Sequence, residues 1–213
     1  MFTGLIFETG AVTHLESSSG KTVIEISAPR LAPRLAVGDS AAVNGACQTV
    51  VRCAGRRFAV EALGETMKKT TLGRLRSGER VNLEPAVTPA TPLGGHFVQG
   101  HVNGTGTVTA VRREGEDVYF SVRLPAELVP YCVAEGSIAV DGVSLTIARL
   151  AGNEITINII PHTWAATALS DRGVGDPVNL ETDIIARYVE RFLAARSERS
   201  GPTSGQLAAW GYR

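Results

Sequence analysis

The chain restarts itself near its middle, and that restart limits the folds open to it. Met1-Phe2-Thr3-Gly4-Leu5-Ile6-Phe7-Glu8-Thr9-Gly10-Ala11-Val12-Thr13 can be laid on the stretch beginning at Phe97. Gly4, Thr9, Gly10, Val12 and Thr13 then match Gly100, Thr105, Gly106, Val108 and Thr109, 96 residues on. Further along, the Val43–Val50 stretch matches Val140–Ile147 at an offset of 97, and Val81-Asn82-Leu83-Glu84 matches Val178-Asn179-Leu180-Glu181. Gly64-Glu65-Thr66-Met67 and Thr71-Leu72 answer to Pro161-His162-Thr163-Trp164 and Ala168-Leu169. Solenoid and propeller repeats run at about 20–50 residues, so this period means two duplicated domains. A chain of 213 residues has room for two units of about 100, each able to bury its own core.

Each copy reads as short strands punctuated by Gly, Pro and Asp. In the first copy the strands are expected at Leu5–Leu15, Thr22–Ser27, Ser40–Val43, Gln48–Cys53, Phe58–Ala62 and Arg80–Glu84. Thr22, Ile24 and Ile26 alternate with Val23 and Glu25, the period of two that gives a sheet one wet face. Six short strands at this spacing predict an all-β fold, a small barrel or sandwich, since closure removes exposed edges. Pro29–Leu35 and Pro125–Tyr131 read as single helical turns. Glu65–Leu75 and His162–Leu169 read as a short helix before each copy's last strand. Gly38-Asp39 and Gly175-Asp176 read as tight, hairpin-type turns.

After the second copy the period changes. Ile184, Ile185, Tyr188, Val189, Phe192 and Leu193 recur at three and four, which predicts an amphipathic C-terminal α-helix. Its apolar stripe must be covered by its own barrel or by self-association. Residues 197–213, with Gly201-Pro202-Thr203-Ser204-Gly205, read as a disordered tail.

Lys plus Arg and Asp plus Glu both number 21, and no basic stripe stands out, which argues against a nucleic-acid or membrane-surface protein. No apolar run approaches the length of a membrane span, and the N-terminus lacks a signal-peptide layout. Cys47, Cys53 and Cys132 show no Cys-x-x-Cys spacing, so reduced thiols in a cytoplasm are expected, with no metal site. No glycine run has nucleotide-binding spacing, and no cofactor is called for.

Duplicates diverge where function specialises. Cys47 in copy one stands where copy two has Ser144; each follows an Asn-Gly or Asp-Gly turn and precedes Thr49 or Thr146 by two, so each pair shares one strand face. Such pairs suit a pocket mouth, or are ordinary strand residues. His101 and His162 replace Leu5 and Glu65 of copy one and are candidates for proton transfer near neutral pH. Asp183 replaces Ala86 and reads equally as a helix cap or a catalytic group.

Taken together, the leading Met1-Phe2-Thr3-Gly4-Leu5-Ile6, the Asn44–Val50 block, Gly94-Gly95-His96-Phe97-Val98-Gln99-Gly100-His101-Val102 and Asp141-Gly142-Val143-Ser144-Leu145-Thr146 resemble riboflavin synthase of the alpha-chain type, from Met1 to about Arg196. The resemblance implies two six-stranded Greek-key barrels, residues 1–96 and 97–182, and a trimerisation helix at 183–196. It implies a cofactor-free dismutation of two 6,7-dimethyl-8-ribityllumazine molecules, carried out between the N-terminal barrel of one subunit and the C-terminal barrel of a neighbour. The assembly implied is a homotrimer, with lumazine synthase allowed as an associated enzyme. Non-catalytic lumazine and flavin carriers of the same build are the alternative.

By motif position the resemblance assigns Cys47, His101, Ser144, Ser40, Thr146, Asp183 and Phe2 to the catalytic region. Ser144 and His101 are expected to assist proton transfer, and Cys47, or a water it positions, to act as nucleophile. Ligand contacts are expected from Gly4-Leu5-Ile6, Cys47-Gln48-Thr49, Glu61-Ala62-Leu63-Gly64-Glu65-Thr66, Gly100-His101-Val102, Ser144-Leu145-Thr146 and Ile159-Ile160-Pro161-His162-Thr163. Gln48 departs from the family's usual apolar residue, and Glu135 lies near a position where some members carry Lys.

Overall fold

The computed structural model describes residues 1–18, 20–197 and 204–211. Copy one supplies β1 (Glu8–Ser18), β2 (Lys21–Ser27), β3 (Ser40–Val43), β4 (Ala46–Ala54), β5 (Arg57–Leu63) and β6 (Arg80–Pro85). Copy two supplies β7 (Gly104–Glu114), β8 (Asp117–Arg123), β9 (Ser137–Val140), β10 (Val143–Ala151), β11 (Glu154–Ile159) and β12 (Pro177–Thr182). Each set closes into an antiparallel barrel with the same neighbour order, β1-β2-β5-β4-β3-β6 and β7-β8-β11-β10-β9-β12.

Closure has a local cause. Register shifts fall at Val12/His14 and Val50/Arg52 in copy one, and at Val108/Ala110 and Ile147/Arg149 in copy two. An extra residue on one strand bends it and increases its twist, which curls a short sheet onto itself. The two-residue turns between β3 and β4 and between β9 and β10 have positive φ at both positions: 44° and 77° at Asn44-Gly45, 43° and 79° at Asp141-Gly142. That is the hairpin turn whose twist matches its strands, and Asn-Gly and Asp-Gly are the pairs that tolerate it.

Each barrel has its own apolar core, built around Phe58, Ile24, Ile26 and Leu83 in the first and Phe120, Ile147, Ile155 and Ile157 in the second. The expected helical turns are present at Ala32–Arg34 and Ala126–Tyr131. The helices expected before the last strands are α1 (Gly64–Lys69) and α2 (Pro161–Ala166), each followed by a 3-10 turn. Gly38-Asp39 and Gly175-Asp176 do turn, but they lead into β3 and β12 from those helical turns rather than joining hairpin strands. Glu135, with φ 64°, occupies the place of Gly38 in the second copy.

The first strand begins at Glu8, not at Leu5. Met1–Ile6 leaves its own barrel: the Ser144 N–H donates to the Gly4 carbonyl, and Ile6 packs on the core of barrel two. The matched segment of copy two makes the reciprocal crossing. The Cys47 N–H donates to the Gly100 carbonyl, and Val102 packs on the core of barrel one. The two crossing segments meet as an antiparallel bridge, Phe2 against Val98.

A polar seam joins the barrels beneath them. The Asn82 side chain accepts from the Ala168 N–H at 2.7 Å and donates to the Asp141 carbonyl at 2.9 Å. Asn179 does the same to the Thr71 N–H and the Asn44 carbonyl, at 2.7 and 2.8 Å. At the centre the turns touch, so that a Cβ on Gly45 would stand 2.7 Å from the Gly142 nitrogen. The glycines here serve both the turn and the close approach.

After β12 the chain forms α3 (Ile184–Ser197), and a short α4 spans Ser204–Ala209. Tyr131 and the α3 residues Arg187 and Glu190 tie α3 to barrel two and Ile184 is half-buried, but the rest of the stripe faces outward, with Phe192 71% exposed and Ile185, Tyr188, Val189 and Leu193 also exposed. The stripe is therefore not covered by its own barrel. The expectation of a disordered tail over 197–213 falls partly outside the described residues.

Candidate active site

Three parts of the chain meet around Cys47. The strand β4 carries Cys47 and Gln48, the first turn of α1 carries Glu65 and Thr66, and Gly100-His101-Val102 arrives from the other copy. With Ala46, Lys69 and Thr70 they enclose a recess of about 180 Å³. The repeat offset places Ser144 on β10, His162 and Thr163 in α2, and Gly4-Leu5-Ile6 in the equivalent arrangement on barrel two.

The crossing segments are held by a pair of buried carboxylates. Glu84 Oε1 accepts from the N–H and the hydroxyl of Thr3, both at 2.7 Å, and Oε2 accepts from the Gly4 N–H at 3.0 Å. Its counterpart Glu181 accepts from the N–H groups of Gln99 at 2.6 Å and Gly100 at 3.0 Å. Burial raises the pKa of both carboxyls, and the backbone donors oppose that rise. So each barrel's last strand fixes the segment that lines the other barrel's recess.

On β4 the side chains alternate, with Ala46, Gln48 and Val50 buried inside the barrel and Cys47 and Thr49 outside. Gln48, where an apolar residue was expected, satisfies its amide by donating to the Cys47 carbonyl at 2.6 Å. Phe2 is fully buried, in a small cluster with Val98, Ala42, Ala139 and the flank of Cys47. A Cβ on Gly100 would lie 2.8 Å from its ring, so Phe2 packs behind the recess wall.

His101 is exposed and shares the recess with Cys47. It is not the histidine beside Ser144. That place is taken by His96, whose Nδ1 lies 2.7 Å from Ser144 Oγ. His96 is only 8% exposed, its N–H donates to the Thr3 carbonyl, and its Nε2 is buried with no hydrogen-bond partner among the described residues. Burial depresses its pKa below the ordinary imidazole value, and Asp183 partly offsets this. Asp183 also caps α3, accepting from the Ile185 N–H at 2.9 Å, which is the helix-cap reading of that residue. His96 was visible in the sequence only as part of Gly94-Gly95-His96. Gly95 is what admits it, since a Cβ there would collide with the Thr3 carbonyl and crowd Ser144.

The remaining candidates are more scattered. Ser40 is half-buried on β3 opposite Thr49, and Thr146 is exposed on β10 opposite Ser137. Glu61 is paired with Lys21 at 2.8 Å. Ala62 and Ile159 are buried in the two cores, whereas Leu63, Ile160, Pro161 and His162 are exposed at the starts of α1 and α2.

The lumazine-binding domain model matches the chain twice, over residues 3–86 and 99–183. The riboflavin synthase of Bacillus subtilis (strain 168) is 40% identical over 198 residues, covering 93% of this chain and 92% of the relative. That of Mycobacterium tuberculosis (strain H37Rv) is 40% identical over 197 residues, covering 91% and 98%. Among solved structures, LumP complexed with riboflavin superposes with a TM-score of 0.81 at 26% identity, over 85% of this chain and 99% of that one. LumP complexed with 6,7-dimethyl-8-(1'-D-ribityl) lumazine gives a TM-score of 0.78 at the same identity and coverage. With both domains matched and synthases of this identity aligned along nearly its whole length, the chain belongs to the riboflavin synthase family.

Proposed function

We propose that this chain is a riboflavin synthase. It takes two molecules of 6,7-dimethyl-8-ribityllumazine, moves a four-carbon unit from one to the other, and releases riboflavin and 5-amino-6-ribitylamino-2,4(1H,3H)-pyrimidinedione. The observation that carries the reading is the recess around Cys47, walled in part by the other copy, with its parts recurring on barrel two at the repeat offset, in a chain whose two halves each match a lumazine-binding domain. The recess backbone offers N–H and C=O groups to the lumazine's imide edge and ribityl chain.

Holding two large rings face to face lowers the barrier by itself, because it removes the entropic cost of bringing them together. What remains is proton transfer and nucleophile addition. Cys47, or a water beside it, adds to the lumazine at barrel one, with His101 next to it. Ser144 faces the lumazine at barrel two, whose C7 methyl loses a proton. The facing pair forms across subunits of a homotrimer, the barrel of residues 1–96 opposite that of 97–182. The exposed apolar stripe of α3 supports this assembly, since an unburied stripe of that size is an association surface. A cytoplasmic setting and association with lumazine synthase, which supplies the substrate, complete the reading.

The test is absorbance during incubation of the pure protein with 6,7-dimethyl-8-ribityllumazine alone. One riboflavin formed per two lumazines consumed is the expected result. Binding without conversion would instead make the chain a carrier.

A further inference from the structure

His96 is a deeply buried ionisable side chain in contact with Ser144 that the chemistry above leaves unused. It reaches Ser144 from a part of the chain that has no equivalent on the other barrel. After β6 the chain continues through residues 86–95 and returns over barrel two, whereas after β12 it turns directly into α3. The repeat therefore brings a histidine onto Ser144 but none by that route onto Cys47. The two sites differ chemically at the atom that faces the substrate.

We propose that His96 is a positioning residue for this reaction, holding Ser144 Oγ as a proton acceptor and taking up through it the proton lost by the lumazine at barrel two. The inference rests on the riboflavin synthase reading and assigns the deprotonated substrate to the C-terminal barrel. In the step, the C–H bond of the C7 methyl breaks and its proton passes to Ser144 Oγ. The Ser144 hydroxyl proton moves to His96 Nδ1 as the new O–H forms. The electron pair stays on the carbon and delocalises into the ring system. The proton later returns to the departing pyrimidinedione, because two substrates and two products balance without net loss of hydrogen.

Three observations fit His96 to this task. Its 2.7 Å contact with Ser144 Oγ is of proton-transfer length. Its main chain is anchored to the Thr3 carbonyl, and Thr3 is itself held by Glu84, so the ring is placed by the same segment that lines the recess. Burial keeps the imidazole neutral and able to accept, while Asp183 at the start of α3 supplies the charge that favours the imidazolium once it forms. Glu84 acts on the other side of Thr3, whose carbonyl holds the His96 main chain.

Exchange of the C7 methyl protons in D2O, followed by proton NMR with the enzyme and lumazine present, reads the deprotonation apart from the four-carbon transfer. His96→Gln keeps a hydrogen-bonding group for Ser144 but cannot take the proton. Exchange and kcat should both fall about tenfold to a hundredfold, within the range general acid–base groups contribute, with KM changing less than about twofold. The acid limb of the kcat profile should vanish. Asp183→Asn leaves His96 in place and retains a capping side chain. It should move the acid limb to lower pH, since the group that raises the His96 pKa is gone. Exchange and kcat within about twofold of wild type in His96→Gln, or an acid limb that Asp183→Asn does not move, would overturn the inference. Failure of the wild-type protein to make riboflavin would instead overturn the reading beneath it.

Discussion

Glu84 and Glu181 offer a reciprocal test, because each stands on one barrel and secures the wall of the other's recess. Replacing Glu84 by Gln leaves one oxygen in place and turns the other into an NH2 group. Of the three donors now satisfied, the Thr3 N–H, the Thr3 hydroxyl and the Gly4 N–H, at least one then faces another donor. Hydrogen bonds to a charged group are worth about 1.5–3 kcal/mol each, and a stranded buried donor costs about 1–3 kcal/mol. The uncharged side chain recovers part of the carboxylate's own desolvation cost. A net loss of about 2–4 kcal/mol in docking of Met1–Ile6 follows, roughly thirtyfold to a thousandfold in its opening equilibrium. Hydrogen–deuterium exchange by mass spectrometry should show residues 1–6 and the Ser144 amide losing protection, while the Cys47 amide keeps it. Glu181→Gln should give the mirror result: Gln99–Val102 and Cys47 exposed, Ser144 protected. If both substitutions loosened only the barrel that carries them, or neither changed exchange, the crossed arrangement would be refuted.

Two further outcomes are expected. Arg172 pairs with the fully buried Asp141 at 2.9 Å, whereas copy one has Leu75 and Asn44 at those positions. Arg172→Leu strands a buried carboxylate and should cost about 3–5 kcal/mol in urea unfolding, and adding Asp141→Asn, which rebuilds the copy-one pair, should recover most of it. A double variant no more stable than the single one would show that the ion pair is not the source of the loss. On the proposed assembly through α3, Phe192→Glu, which places a charge in its exposed stripe, should give a monomer by light scattering, with turnover lost and each barrel's melting little changed.

Much of this fold was legible because turns announce themselves. Asn44-Gly45 and Asp141-Gly142 mark hairpins by backbone preference alone, and alternation located the strands to within a few residues. What the pattern did not carry was partnership. Leu5, Ile6 and Phe7 read as the start of β1 because apolar residues near a strand extend its pattern, and nothing local says that Ile6 packs on the core of the other copy. The same blindness hid His96. Its contact with Ser144 spans 48 residues and has no counterpart at the repeat offset, so comparing copies drew attention to His101 instead. Gln48 looked misplaced because its hydrogen bond to the neighbouring carbonyl is a matter of rotamer, not of sequence. The stripe on α3 was clear from spacing, but whether its own barrel covered it was a question only the packing could answer.

The crossing of the two leading segments also sets a timetable for a growing chain. Barrel one owns all its strands by Pro85, yet Cys47 waits for Gly100 and the Asn44 carbonyl waits for Asn179, 135 residues downstream. Closing such distant contacts costs entropy before it returns any, so they form late. Phe2 leaves the ribosome well ahead of Val98 and has no resting place until that residue follows it out. Gly4 waits longer still, for the strand that bears Ser144. Residues made before the first barrel are thus folded after it, and the recess around Cys47 lacks its full wall on a nascent chain that ends with Pro85.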